Sequence, residues 1–468
     1  MRAGQLFTAT IERAADFGRG VAHADGQTVF VAGALPGEEL RCAFERAKGK
    51  VAFARAVEPL SPSPLREKPP CPLFLRCGGC DMQHMGYETE LAQKQQVVSD
   101  ALTRIGGFAA GEFELLPILG AKQPLHYRNK AVFPVGGRSG RAEIGFFQRQ
   151  SHDIVPAEGC LLLPESMGAA AKAFLAWMNE FAIPPADASG GEGLVRHLML
   201  RQNRAGRTLA VPVLLRGELP RARELSAALQ SALGERFAGL CVNINPGPEG
   251  EILGERCETL FGEAALQEEL LGLRFEISPL SFFQVNPAQA ELLYGKALEF
   301  AGLRGGETAV DAYCGAGGIA LLMARRAKEV LGIESLGAAV RNAAENARRN
   351  GIQNARFLQG RCEVLLPKLF REGAPDLLTL DPPRKGCDPE LLSAILAAAP
   401  RRIVYVSCNP ATLARDLKTL CAAGRYALLR AQAIDMFPRT GHVECVALLE
   451  RRYAASHGGL RPPYGTPL

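Results

Sequence analysis

Between Gln5 and about Pro59, apolar and polar residues alternate in short runs: Leu6-Phe7-Thr8-Ala9-Thr10-Ile11, Val29-Phe30-Val31 and Leu40-Arg41-Cys42-Ala43-Phe44, with glycine and proline between them. A period of two over such short runs predicts half-buried strands, and the turn residues between them predict a small all-β barrel over 1–59. Arg13, Arg19, Arg46, Lys48 and Lys50 fall in or beside the expected turns. An OB-like barrel can present such cations to a phosphate backbone, and solvated loop charges are the plain alternative. Ser61-Pro62-Ser63-Pro64 and Pro69-Pro70 favour neither strand nor helix and set the first boundary near residue 60.

Over 60–275 the pattern mixes periods. Apolar residues at helical spacing predict helices at Glu88–Ile105, Glu165–Phe181 and Arg221–Leu233, while Leu198–Arg201 and Leu209–Val213 read as strands, giving an α+β unit. Over 276–452 strand and helix alternate. Strands are expected at Thr308–Asp311, Glu329–Glu334, Ala355–Leu358, Leu377–Asp381 and Ile403–Ser407, with helices from Gly318, over 336–349 and near 389–398. Such alternation predicts a parallel doubly wound sheet, an α/β fold whose ligands bind beyond the carboxyl ends of the strands. The remaining 453–468, rich in Gly and Pro, is expected to be a flexible tail.

Composition narrows the class. Hydrophobic residues at 47% and charged residues at 22% exclude disorder as the main state. The formal charge of +5 suits a polyanionic partner without requiring one. No apolar run is long enough for a membrane span or shaped like a secretory signal, so a cytoplasmic protein is expected. In that compartment thirteen cysteines read less as disulfides than as ligands, nucleophiles or small buried hydrophobes. Cys42, Cys241, Cys257, Cys421 and Cys445, in apolar surroundings, belong to the last group.

The run Val310-Asp311-Ala312-Tyr313-Cys314-Gly315-Ala316-Gly317-Gly318-Ile319 falls where a strand meets a helix, and its glycines let a ligand approach the backbone. Glu334 ends the next strand, where a carboxylate can accept hydrogen bonds from both ribose hydroxyls of an adenosine. That spacing also suits NAD. The departure from Gly-x-Gly-x-x-Gly and the presence of Asp311, which would repel a pyrophosphate, favour a cationic sulfonium donor instead. Tyr313 is expected either to pack on the cofactor or to be a buried structural tyrosine.

Further along, Val406-Ser407-Cys408-Asn409-Pro410 puts a thiol at the sheet edge facing the cofactor, and Asp381-Pro382-Pro383-Arg384 lines the same edge. Gly441-His442-Val443-Glu444-Cys445-Val446-Ala447 places a carboxylate at the start of a strand. Taken alone, Cys408 could be an ordinary buried thiol. Together with Ser281-Phe282-Phe283-Gln284-Val285-Asn286, Gly18-Arg19-Gly20-Val21-Ala22 and Val29-Phe30-Val31-Ala32-Gly33-Ala34-Leu35-Pro36-Gly37-Glu38, these runs resemble the bacterial RNA (uracil-5-)methyltransferase family over nearly the whole chain.

The resemblance implies a TRAM domain in front, an RNA-binding OB-like barrel, and a Rossmann-like methyltransferase domain over 276–452. It further implies that Gln284, Tyr313, Glu334 and Asp381 contact S-adenosylmethionine, that Cys408 is the nucleophile and that Glu444 is the general base. Gly318 and Arg361 stand where the family pattern has asparagine, and both are left out of the expected cofactor set. The chemistry needs these residue types. Carbon 5 of uracil is a poor nucleophile until a thiolate adds at carbon 6, and a carboxylate must then remove the carbon 5 proton so that the thiol can leave. The attack is perpendicular to the ring, so the base must lie in a loop or be turned out of its stack.

Cys71, Cys77 and Cys80, with small glycines between them, suit wrapping around a compact inorganic centre. A fourth ligand is required; Cys160 sits in an expected turn, and the resemblance puts the fourth cysteine of a [4Fe-4S] cluster there. Structural zinc is the rival, although it more often uses two Cys-x-x-Cys pairs and only one stands here. The TRAM-like front favours 23S ribosomal RNA as substrate over transfer RNA, and a monomer is expected. Methylation of cytosine at carbon 5 and a non-catalytic iron–sulfur RNA-binding protein are the other readings. The first fails if uridine RNA alone is methylated, and the second gains if Cys408→Ala leaves cellular RNA methylation unchanged.

Overall fold

The computed structural model describes residues 2–186, 192–247, 252–422 and 424–452. The expected tail at 453–468 lies outside the described residues. Alternation in the first sixty residues builds a six-stranded sheet in which Arg19–Ala24, Gln27–Ala32, Glu39–Lys48 and Val51–Ser61 form the body. Every pairing in it is antiparallel except that of Gln27–Ala32 with Val51–Ser61. Val29, Val31, Leu40 and Cys42 point inward and are fully buried, as a period of two requires. The linker returns to this sheet: Arg66 donates to buried Glu38 (Nη2 to Oε2, 2.6 Å) and to the Gly33 carbonyl at 2.8 Å.

The middle of the chain forms a seven-stranded sheet from Lys130–Arg138 to Arg256–Gly262, with helices Glu165–Glu180 and Ala222–Leu233 packed on it. Phe133, Phe174, Trp177, Leu198 and Leu240 fill the space between. This unit reaches the next through the segment 281–286: Arg201 Nη2 donates to the Ser281 carbonyl at 2.7 Å, and the Asn129 amide donates to the Val285 carbonyl at 2.9 Å.

The third sheet has eight strands in the order Ala355–Gln359, Glu329–Glu334, Thr308–Ala312, Leu377–Leu380, Arg402–Ser407, Glu444–Arg451, Tyr426–Ile434, Glu114–Leu119. The first five are parallel, and Glu444–Arg451 runs against them. The order reverses at Thr308–Ala312, whose neighbours on either side both follow it in sequence, so ligand binding is expected beyond its carboxyl end. The last strand comes from a distance: Glu114–Leu119 lies in the segment read as part of the central unit yet pairs in parallel with Tyr426–Ile434. Helix Tyr87–Asp100 accompanies it and buries Lys94, whose ammonium donates to Glu90 at 2.8 Å and Asp435 at 2.7 Å. The expected helix Glu88–Ile105 therefore divides, running as α-helix to Asp100 and as a π-helical turn over Ala101–Ile105.

Candidate active site

The antiparallel strand explains how distant motifs meet. Ser407 ends Arg402–Ser407 and pairs with Cys445 near the start of Glu444–Arg451. Extending that register by one residue puts Cys408 opposite Glu444, and both side chains line one cavity of about 810 Å³. Gln284, Tyr313, Glu334 and Asp381 line the same cavity, as do Gly318 and Arg361. Asn409 ties the neighbouring loops together, since its Nδ2 donates to the Arg384 carbonyl at 3.0 Å.

The acidic and sulfur groups here sit in an unfavourable field. Glu444 is only 5% exposed, and burial, reinforced by the charge of Asp381 and opposed by Arg384, pushes its carboxyl up to about 8. Asp381 is raised to about 7 by burial and then by Asp311. The Cys408 thiol is pushed up by burial and by the charges of Glu444 and Asp381, while Arg384 works the other way. Arg384 thus favours the ionised form of both Cys408 and Glu444. It lies 3.4 Å (Nη2) from His442 Nε2, and His442 lines the same cavity. Neither Arg384 nor His442 was given a role from sequence, although both stand inside the motifs quoted above.

On the cofactor side, the glycine turn has left-handed backbone at Gly315 (φ 55°) and Gly317 (φ 88°), conformations that glycine adopts without strain. Glu334 holds this turn, accepting from the Gly315 amide at 3.2 Å through Oε2 and from the Leu336 amide at 2.8 Å through Oε1. An ionised carboxylate can accept several further bonds, so ribose hydroxyls remain compatible with it. Tyr313, half-buried, lines the cavity while its hydroxyl donates to Glu363 at 2.8 Å. Asp311 requires a correction: it is buried in its strand, accepts from Thr379 Oγ1 at 2.5 Å and does not line the cavity. Burial raises its carboxyl to about 7, so it is a weaker barrier to an anionic ligand than the sequence suggests.

Cys71, Cys77, Cys80 and Cys160 are all free thiols and lie within electrostatic reach of one another: charge on Cys160, Cys77 or Cys71 raises Cys80, whose thiol is held near 12 chiefly by burial. Backbone amides face two of the sulfurs, that of Gly79 on Cys77 and those of Leu162 and Leu163 on Cys160. Donor type and number therefore suit an iron–sulfur centre. A preformed cage, however, is not what the structure contains, for no three cysteines, histidines or carboxylates among the described residues converge as a metal-holding group. Among the described residues the four thiols thus stand as neighbours rather than as a closed cage. Burial favours the neutral forms of Cys77, Cys80 and Cys160, which do not bind metal as thiolates do.

A doubly wound sheet with a glycine turn, an acidic strand end and ionisable groups gathered at its switch point defines a nucleotide-cofactor enzyme. Comparison with known proteins narrows the class. A TRAM domain model matches residues 2–57, and the model for tRNA (Uracil-5-)-methyltransferase matches 373–452, the stretch that carries Cys408 and Glu444. An uncharacterized RNA methyltransferase of Halalkalibacterium halodurans is 41% identical over 94% of this chain and 96% of its own length. Another, of Clostridium acetobutylicum, is 39% identical over 93% and 95%. Among solved structures, Pyrococcus abyssi tRNA (uracil-54, C5)-methyltransferase in complex with S-adenosyl-L-homocysteine superposes with a TM-score of 0.75 at 28% identity, covering 94% of this chain and 99% of that one. The chain belongs to the S-adenosylmethionine-dependent RNA (uracil-5-)methyltransferase family and carries its TRAM domain. No helix among the described residues is long and apolar enough to cross a membrane.

Proposed function

We propose that this enzyme methylates carbon 5 of a uridine in 23S ribosomal RNA by covalent catalysis through Cys408. The observation that carries the reading is the shared cavity in which Cys408 faces Glu444, with Gln284, Tyr313, Glu334 and Asp381 around it. When bound, S-adenosylmethionine supplies an electrophilic methyl group. Cys408 thiolate adds to carbon 6 of the uracil, and the displaced double-bond electrons make carbon 5 nucleophilic. Carbon 5 then forms its bond to the methyl as the methyl–sulfur bond breaks. Glu444 takes the carbon 5 proton; the electrons of that bond restore the ring double bond and expel the Cys408 thiolate. Arg384 supports both ionised groups through its charge.

The four-iron cluster is the second part of the proposal, held by Cys71, Cys77, Cys80 and Cys160, with the Gly79, Leu162 and Leu163 amides donating to sulfur. No step of the methyl transfer passes through it. Iron and sulfide bound per chain, and their loss on Cys80→Ala, test this part separately.

The competing substrate is transfer RNA. The Pyrococcus abyssi protein is a tRNA enzyme by name, and it matches so much of this chain that the match cannot leave out the whole barrel, which weakens the inference from barrel to ribosomal RNA. Mapping 5-methyluridine in all RNA from cells with and without the gene separates the two. Loss from large-subunit ribosomal RNA supports the proposal, and loss from transfer RNA alone overturns the choice of substrate.

A further inference from the structure

A second cavity, of about 860 Å³, adjoins the first and shares Arg384, Cys408 and His442 with it. Its remaining walls come from parts of the chain that the chemistry above leaves idle. They include strand Arg13–Ala14 of the barrel with the turn that follows it to Phe17, helix Tyr87–Asp100 with the π-helical turn that ends it, and the start of helix Pro410–Ala422. π-helical turns are frequent at functional sites.

Phe17 stands at the junction. Its ring lies edge-on to His442, centroids 5.3 Å apart, and it is 37% exposed although large and apolar. Its backbone is left-handed (φ 56°), a conformation that is costly for a bulky residue and persists where surrounding contacts enforce it. The enforcing contacts depend on glycine: a Cβ at Gly441 would come within 2.4 Å of Phe17 Cα, and one at Gly18 within 2.6 Å of the Asp81 carbonyl oxygen. The guanidinium of Arg19 lies 5.4 Å from the ring centroid. Barrel and catalytic loop are thus locked together around an aromatic side chain that borders the cavity containing Cys408.

The charges of this cavity favour an anion. Asp16 is paired with Arg19 at 2.7 Å and Asp100 with Arg104 at 3.3 Å, whereas Arg13 and Arg384 make no carboxylate pair within 4.0 Å among the described residues. Cations flanking an exposed ring are the combination that binds single-stranded nucleic acid, with bases stacked on the ring and phosphates on the cations. We propose that the second cavity holds the unpaired nucleotide adjoining the target uridine, its base stacked on Phe17 and its phosphate facing Arg13 and Arg384. The proposal rests on the reading that Cys408 attacks an RNA uracil, because a uracil at Cys408 leaves its chain neighbour at the mouth shared by the two cavities. Turning a base out of its stack deprives that neighbour of a stacking partner, and Phe17 supplies a replacement.

The test uses full-length Phe17→Ala, Phe17→Leu and Phe17→Tyr proteins on total RNA from cells lacking the gene, with RNA and S-adenosylmethionine varied separately. Alanine and leucine should raise KM for RNA about tenfold or more, the size of one lost base–aromatic stack, while tyrosine restores most of the loss. KM for S-adenosylmethionine should stay put. Because Phe17 also touches His442, a second arm uses a fragment spanning the methylated uridine with a single abasic residue on one side or the other. On one of these two RNAs wild type and Phe17→Ala should become equal. A leucine variant equal to wild type, or an alanine defect undiminished on both abasic RNAs, overturns the subsite while leaving the enzymatic reading intact. Absence of any wild-type methyl transfer overturns the enzymatic reading and the subsite with it.

Discussion

At the scale of single residues, the proposed mechanism depends on a thiol and a carboxyl that their surroundings keep protonated. Glu444 is raised to about 8 and Cys408 is raised as well, and both must ionise to act. Turnover of saturated enzyme should therefore climb with pH through the region near 8. Arg384 lowers both groups, so Arg384→Ala should move that rise to higher pH; a pH–rate profile of the two proteins checks the direction. Stability follows the same linkage. The folded pKa of Glu444 lies above its ordinary 4.5, so the folded state binds the extra proton and stability drains away as pH rises from 4.5 to about 8. Glu444→Gln should melt higher than wild type above pH 8 and nearly alike below 4.5, while slowing turnover by about 10²-fold or more. Cys408 and Glu444 were legible in the sequence because strand-end motifs and a family resemblance carry them. The partnership of Arg384 with His442 was not, since it joins two loops whose sequences give no sign of their proximity.

At the scale of elements, much of the strand and helix grammar of 308–407 was readable because short runs rich in apolar residues, of strand length, alternate there with helical segments. Expected Glu329–Glu334 is the observed strand, and expected Leu377–Asp381 differs only by its last residue. Several features escaped, helices Pro287–Ala301 and Cys362–Glu372 among them. Glu114–Leu119 is a short apolar run with no internal mark of its partner, which lies far downstream. The π-helical turn at Ala101–Ile105 keeps helical composition while changing hydrogen-bond spacing. Loops proved as important as strands. Asp81, directly after Cys80, accepts from the Gly441 amide at 3.0 Å through Oδ2 and from Arg149 at 2.6 Å through Oδ1. The Asp81 and Met82 amides both donate to the Arg439 carbonyl, at 2.9 and 3.1 Å. The cysteine-bearing segment thereby fixes the loop that leads to His442 and Glu444. Asp81→Ala leaves the Gly441 amide unpaired and removes the carboxylate partner of Arg149, and should cost about 1–3 kcal/mol of stability together with a fall in kcat, with Asp81→Asn intermediate. Thermal melting and steady-state kinetics on the same preparations measure both.

At the scale of the molecule, reading the chain as consecutive units describes the sequence better than the sheets. The catalytic sheet takes its edge strand from Glu114–Leu119 and a covering helix from Tyr87–Asp100, so a piece spanning 276–452 lacks both. Such a fragment should show no cooperative unfolding on heating, whereas the intact chain should. The second cavity is likewise assembled from separate regions, with the barrel turn, helix Tyr87–Asp100 and the loops at Arg384 and His442 lining it beside Cys408. The covalent role of that cysteine can be tested by offering the enzyme RNA in which 5-fluorouridine replaces uridine. Fluorine takes the place of the carbon 5 proton, which is Glu444's to remove in the proposed mechanism, so the thioether cannot be released once the methyl has moved. After nuclease and protease digestion, mass spectrometry should find the peptide containing Cys408 carrying a methylated fluorouridine. Absence of any adduct, or an adduct on another of the cysteines, would contradict covalent catalysis by Cys408.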